Sequence, residues 1–191
     1  MPVTSRVLLS SALVAVGLLV GTAGIASADG ERDGNVVRVL ELTNVERQKV
    51  GAPPLLASAE LNRAAQSYSD VLATTGCFEH TCGPVPDMAA RIGQSGYQGW
   101  TAIAENIAWG YPSPEAVVAG WMGSAGHRQN MLNPRYREIG IGLAITDRRN
   151  GMYWTQDFGA RREMPQVDLA PAPSPDVVDE APAAHARATE D

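Results

Sequence analysis

Glu105 is the only charged residue between Arg91 and Glu115, and it stands in the run Ala102-Ile103-Ala104-Glu105-Asn106-Ile107-Ala108-Trp109. A carboxylate in so apolar a setting is costly to bury unless it is hydrogen-bonded, ion-paired or metal-bound. The segment Trp121-Met122-Gly123-Ser124-Ala125-Gly126-His127-Arg128-Gln129-Asn130 follows closely and offers His127 as a partner. A second imidazole, His80, stands inside Cys77-Phe78-Glu79-His80-Thr81-Cys82. Two cysteines so close together favour a disulfide if the chain is exported, closing a small loop that presents His80. The alternative is a zinc site made of the two thiolates and the histidine, which an oxidising compartment disfavours.

The N-terminus speaks for export. Arg6, an apolar stretch from Ala12 to Val20 and the small residues Ala26-Ser27-Ala28 follow the order of a secretory signal peptide, so residues 1–28 are expected to be removed after Ala28. Ser10, Ser11, Gly17 and Thr22 interrupt the apolar stretch, which falls short of the roughly 20 residues of a spanning helix. No transmembrane anchor is therefore expected after cleavage. With no cysteine near the cleavage point, a lipid-modified N-terminus is not expected either. From about Arg161 the chain turns to proline, alanine, aspartate and glutamate, as in Ala170-Pro171-Ala172-Pro173-Ser174-Pro175. Such a composition cannot bury enough surface to offset its ordering entropy, so residues 161–191 read as a disordered acidic tail, and His185 within it receives no role. What remains suits one domain at residues 36–160, after a short linker at 29–35. The 191 residues carry 15 Lys and Arg against 21 Asp and Glu, a formal charge of −6, and no basic block, which argues against nucleic acid as a partner.

Helical spacing of Val36, Val39, Leu40, Thr43 and Arg47 stops at Gly51-Ala52-Pro53-Pro54. A second helix follows Ser58, with Leu61, Ala64, Ala65, Tyr68 and Leu72 on one face, and a short third runs from Asp87 to about Gln94. Ser113-Pro114-Glu115 combines an N-cap, proline at the first helical position and a first-turn carboxylate, predicting a fourth helix to about Gly123, with Val117, Trp121 and Ser124 on one face. After Pro134 the period changes. Ile139, Ile141, Leu143 and Ile145 alternate with Gly140, Gly142 and Ala144, a strand whose glycine face lets a helix approach closely. Arg148-Arg149-Asn150-Gly151 supplies a hairpin turn, and Met152 to Phe158 returns as a second strand. The fold class is α+β, a small antiparallel sheet covered by helices.

These elements together resemble the CAP superfamily of cysteine-rich secretory, antigen 5 and pathogenesis-related 1 proteins, in its bacterial secreted branch. The resemblance covers about Val36 to Gly159. It rests on Glu46-Arg47 with Pro53-Pro54-Leu55, Phe78-Glu79-His80-Thr81, Glu105-Asn106-Ile107-Ala108, Trp121 with Gly126-His127-Arg128-Gln129-Asn130, and Tyr153-Trp154-Thr155-Gln156-Asp157-Phe158-Gly159. It implies an α-β-α sandwich with a central cleft to which His80, Glu105 and His127 contribute. Many eukaryotic family members line this cleft with two histidines and two glutamates that can hold zinc or another divalent cation. Here the second glutamate is replaced by Ser124, which removes an anionic ligand. Two imidazoles and one carboxylate still make a three-ligand zinc set with an open position, so His80, Glu105 and His127 are candidate metal ligands. The reading preferred from the residues is a metal-free cleft in which Glu105 accepts hydrogen bonds from the histidines and backbone.

Asn106 and Ser124 are expected beside the cleft, and Trp109, Tyr111, Trp121 and Trp154 are expected in the core rather than in a ligand groove. Three functions follow. The first is a secreted, nonenzymatic module binding an extracellular ligand, whether lipid, wall polymer or protein. The second is a peptidase-like hydrolase, metal-dependent or with Ser124 as nucleophile and Glu105 or a histidine as general base. The third is an envelope component that uses its tail as a spacer.

Overall fold

In the computed structural model the chain is described at residues 22–147 and 151–162, with side chains from Gly30 onward. The expected signal peptide up to residue 21, the turn at 148–150 and the tail from residue 163 with His185 lie outside the described residues. Helix α1, Thr22–Lys49, begins well before the expected Val36 and closes near Gly51, whose φ is +70°. Strand β1 is only Leu56–Ala57. Helix α2, Ala59–Thr75, starts at Ser58, whose side chain accepts from the Leu61 N–H, and ends at left-handed Gly76. Helix α3, Met88–Gln94, is capped by Asp87, and α4, Pro114–Gly123, by Ser113 with proline in its first turn. The Ser113 cap is the one read from the sequence, and the starts after Ser58 and near Asp87 fall where expected. Ser124 ends α4 rather than extending its face, and it opens a helix that the sequence pattern did not suggest, α5, Ala125–Leu132.

Strands β2, Trp100–Trp109, β3, Glu138–Thr146, and β4, Gly151–Arg161, complete a sheet in the order β1-β3-β4-β2. The β3–β4 pair is antiparallel as expected, the β2–β4 pair is antiparallel too, and β1 adds to β3 in parallel. Arg161, assigned to the tail by composition, is the last residue of β4 and forms a two-pronged pair with Glu138 at 3.0 and 2.8 Å. The β2 strand was not foreseen because its middle is covered on both faces. Glu105, Asn106, Ile107 and Ala108 are all buried, so no polar alternation marks it.

Period 2 on β3 sorts two cores. Ile139, Ile141 and Leu143 point to one side, where they join Val39 of α1, Val117 and Trp121 of α4, Met131 of α5, Trp154 and Phe158. Gly140 and Gly142 point to the other, against α2. A Cβ on Gly140 would run into the backbone of Leu61 and Asn62, and one on Gly142 into that of Ala65. Side chains of α2 also reach over to the β3 backbone, where Asn62 Oδ1 accepts from the Ile141 N–H at 2.9 Å and Gln66 Oε1 from that of Leu143 at 3.1 Å. The sandwich therefore has α2 on one face of the sheet and α1, α4 and α5 on the other. Arg47 of α1 is fully buried and donates to the carbonyls of Pro53, Met131, Asn133 and Tyr136, tying the loop before β1 to the segment after α5.

Because the α2–β3 contact is backbone against backbone, even one methyl group cannot be absorbed by a side-chain rotation. Gly142→Ala is expected to lower unfolding free energy by about 1–3 kcal/mol, seen as a lower urea midpoint at unchanged slope.

Candidate functional site

Glu105 lies on β2, at the edge of the sheet, with its side chain turned to the α2 side and only 2% exposed. One carboxylate oxygen, Oε1, lies 2.7 Å from His80 Nδ1, and the other, Oε2, accepts from Arg91 Nη2 at 2.5 Å. The partners are thus His80, as the sequence suggested, and Arg91 of α3, which it did not. Arg91 is itself buried. It donates to the carbonyls of His80 and Pro86 at 3.1 and 2.8 Å, and its guanidinium lies 3.4 Å over the ring centre of Tyr68. One arginine therefore neutralises Glu105, holds the His80 backbone and covers an aromatic face.

Cys77 and Cys82 form a disulfide, as expected. Tyr68 adds an anchor by donating to the Glu79 carbonyl at 2.6 Å. The loop lies along β2: His80 meets Glu105, Cys82 shares a core cluster with Ile107, and the Phe78 ring is 6.3 Å from that of Trp109. His80 remains 56% exposed, and with Nδ1 engaged its other nitrogen, Nε2, is the one available to a ligand. Its pKa is raised, chiefly by the hydrogen bond to Glu105, against the opposing effect of partial burial.

His127, on α5, reaches the edge of β2 from the other face of the sheet. It makes no hydrogen bond to Glu105 among the described residues. Its backbone carbonyl accepts instead from Asn106 Nδ2 at 3.2 Å. Partial desolvation, and secondarily His80, lower its pKa. Asn106 is fully buried, donating also to Gln156 and accepting from Asn130, so it braces β2 against β4 and α5 rather than facing a ligand. Ser124 makes no side-chain cap bond and no bond to a histidine among the described residues.

A fourth group escaped the sequence reading. Asp157 pairs with Glu105 across the β2–β4 ladder and is fully buried. Burial first, and the negative charge of Glu105 second, push its pKa far up. Its side chain is hydrogen-bonded to Glu105, with Oδ1 lacking a partner among the described residues. Its register opposite Glu105 was the available signal, but that register depends on recognising β2 as a strand.

Zinc or another divalent ion at His80, Glu105 and His127 fits this arrangement poorly. Both oxygens of Glu105 are engaged, one by a guanidinium, and the described residues contain no group of three or more His, Cys, Asp and Glu placed to hold a metal. The disulfide likewise takes both thiols from the alternative zinc set. The aromatic expectations divide. Trp121 and Trp154 are core residues, whereas Trp109 and Tyr111 are well exposed, which corrects the core assignment for that pair. The reason is positional: Trp109 ends β2 and Tyr111 lies beyond the turn at Gly110, whose φ is +80°.

The model of the cysteine-rich secretory protein family, CAP, matches residues 40–158. The uncharacterized protein YkwD of Bacillus subtilis is 40% identical over 124 residues, covering 63% of this chain and 45% of its own length. The Golgi-associated plant pathogenesis-related protein 1 of Homo sapiens is 30% identical over 115 residues, covering 56% of this chain and 70% of its own. Among solved structures, an extracellular protein containing an SCP domain from Bacillus anthracis aligns with a TM-score of 0.62 at 26% identity, over 68% of this chain and 41% of that one. An outer surface protein of Borrelia burgdorferi shares the fold at a TM-score of 0.61 and 22% identity, over 68% and 94%. The chain spans less than half the length of YkwD.

The two histidines are expected to titrate on opposite sides of the ordinary imidazole value of about 6.5, His80 above and His127 below. Two-dimensional NMR of the ring carbons gives both midpoints, and Glu105→Gln should bring His80 down. Asp157 gives a second pH signature. Because its folded pKa is raised, its contribution to stability is complete below the unfolded value near 4 and is lost as pH rises through the folded one. Wild type should therefore lose stability with rising pH relative to Asp157→Asn, whose amide still donates to Glu105; urea midpoints across the pH range test this.

Proposed function

The chain belongs to the cysteine-rich secretory protein (CAP) family, and from that premise we propose that it works outside the cytoplasm as a nonenzymatic binding module. Its ligand or partner engages the cleft between the Cys77–Cys82 loop and α5. The observation that carries this reading is the division of labour around Glu105. The carboxylate is buried and saturated by His80 and Arg91, while His80 on the rim keeps an exposed ring. A general base needs a lone pair within reach of a substrate proton, and a serine nucleophile needs a base beside it. Glu105 has both oxygens occupied and Ser124 has no bond to a histidine among the described residues, so the residues serve recognition better than hydrolysis. Export is supported by the signal-like N-terminus, the disulfide and the likeness to an extracellular SCP-domain protein. No described helix is long and apolar enough to cross a membrane.

The test is cosedimentation of the purified chain, from Asp29 onward, with isolated cell envelope. Saturable binding is expected, falling at least fivefold in His80→Ala/His127→Ala with unchanged circular dichroism. Absence of binding, or binding indifferent to both histidines, would sink the reading. So would hydrolysis of peptide or wall polymer that is abolished by Glu105→Gln.

A further inference from the structure

We propose that the Cys77–Cys82 disulfide is a site of thiol–disulfide exchange with an external dithiol, which attacks Cys77, releases Cys82 and lets go the loop that holds His80 against Glu105. The effect on binding rests on the binding-module reading, in which this loop forms one wall of the cleft; the opening of the loop does not.

The two sulfurs are not equivalent. Cys82 is 4% exposed and shares a core cluster with Tyr68, Leu72 and Ile107, whereas Cys77 is only partly buried and stands between exposed Gly76 and exposed Phe78. An entering thiolate therefore meets Cys77 Sγ, and the leaving sulfur is that of Cys82. The leaving side is prepared, because Tyr68 Oη lies 3.6 Å from Cys82 Sγ, within hydrogen-bonding reach of sulfur. In the closed loop this hydroxyl gives its single proton to the Glu79 carbonyl at 2.6 Å. A thiolate is an ionised and hence stronger acceptor. As charge develops on Cys82 the proton turns from Glu79 to sulfur, so the group that steadies the leaving thiolate is taken from the loop's own anchor.

One thiolate of the dithiol forms a bond to Cys77 Sγ while the Cys77–Cys82 bond breaks, its electron pair going to Cys82. The second thiol of the reagent, as thiolate, then attacks its own sulfur in the mixed disulfide and frees Cys77. The dithiol leaves oxidised to a disulfide, the protein disulfide is reduced by the same pair of electrons, and the protons of the dithiol end on Cys77 and Cys82.

The loop is placed to open locally. Left-handed glycines stand just outside both cysteines, Gly76 at φ +70° and Gly83 at +55°, and a Cβ on either would meet nothing within 4 Å. A cross-link stabilises a fold more the longer the loop it closes, and these cysteines have a sequence separation of only 5. Reduction therefore leaves the sheet and α2 standing. On the open loop there remain the Arg91 bond to the His80 carbonyl at 3.1 Å and the contact of the exposed His80 ring with Glu105. These must now be held against the backbone freedom that the loop regains. Cys82 stays packed in its cluster, so the pair can close again on oxidation.

The folded chain from Asp29 to Asp191 is treated with dithiothreitol at neutral pH and followed by thiol titration and amide hydrogen exchange. Both thiols are expected to appear, with hydrogen exchange at residues 78–81 faster by about tenfold or more while α2 and β3 keep their protection. With the monothiol glutathione, and iodoacetamide as trap, mass spectrometry should find glutathione on Cys77 and the alkyl group on Cys82. Cys77→Ser/Cys82→Ser should show the same open loop without reductant, and envelope cosedimentation should fall on reduction and return on reoxidation. A disulfide that resists dithiothreitol in the folded chain overturns the proposal. So does unchanged hydrogen exchange in the reduced loop and the double variant, loss of protection in α2 and β3 as well, glutathione on Cys82, or cosedimentation that reduction leaves unchanged. If the oxidised chain binds no envelope at all, the binding-module reading falls, while the thiol and hydrogen-exchange measurements still decide whether the loop opens.

Discussion

The site depends on one constraint: a carboxylate on an edge strand must be buried and kept satisfied. Glu105 meets it with a buried arginine and a half-buried imidazole, one for each oxygen. Stripping one partner from a buried ion pair typically costs about 3–5 kcal/mol because the survivor is left uncompensated. Every element that touches Arg91 is consequently held to Glu105. Its guanidinium fixes the His80 and Pro86 carbonyls and caps the Tyr68 ring of α2, so α2, α3, the disulfide loop and β2 converge on one planar group. A divalent ion would compete for the oxygens that Arg91 and His80 already hold. At this carboxylate the chain supplies its own cation.

The free edge of β2 poses a second problem, since unpaired strand edges invite further pairing. The carbonyls of Ile103, Glu105 and Ile107, spaced two residues apart, accept from Tyr136, Asn130 and Trp121 respectively. Side chains from α4, α5 and the segment after α5 thus stand in for a fifth strand. The same helices bring His127 to this edge, while the disulfide loop brings His80 from the α2 side. Two layers thus meet across one strand, with His80 left exposed at its α2 side.

How much of this was legible follows from which residues carry local signals. Ser58, Asp87 and Ser113-Pro114 declared three helix starts because capping is a property of a few adjacent residues. Gly140 and Gly142 declared both a strand and the face against which α2 packs. The sandwich and the pairing of His80 with Glu105 were likewise within reach of the sequence, the latter through family resemblance. Strand β2 was hidden because burial on both faces erases alternation, and α5 because Gly126, His127, Arg128, Gln129 and Asn130 give no apolar stripe. Arg91 and Asp157 were hidden for a different reason. Each gains its role from a contact more than ten residues distant in sequence, Arg91 through the seating of α3 beside β2 and Asp157 through strand register.

Ser124 and Asp157 bear together on the surroundings of Glu105. Ser124 carries no charge, Glu105 is buried, and the pKa of Asp157 behind it is raised by burial and by Glu105 itself. Glu105 is countered by the buried Arg91 guanidinium, and Asp157 hydrogen-bonds it from the neighbouring strand. Glu105 bonds partners in three directions, His80, Arg91 and Asp157, which ties β2 to the disulfide loop, α3 and β4. The Phe78 and Trp109 rings stand on the loop and the strand that this cluster joins.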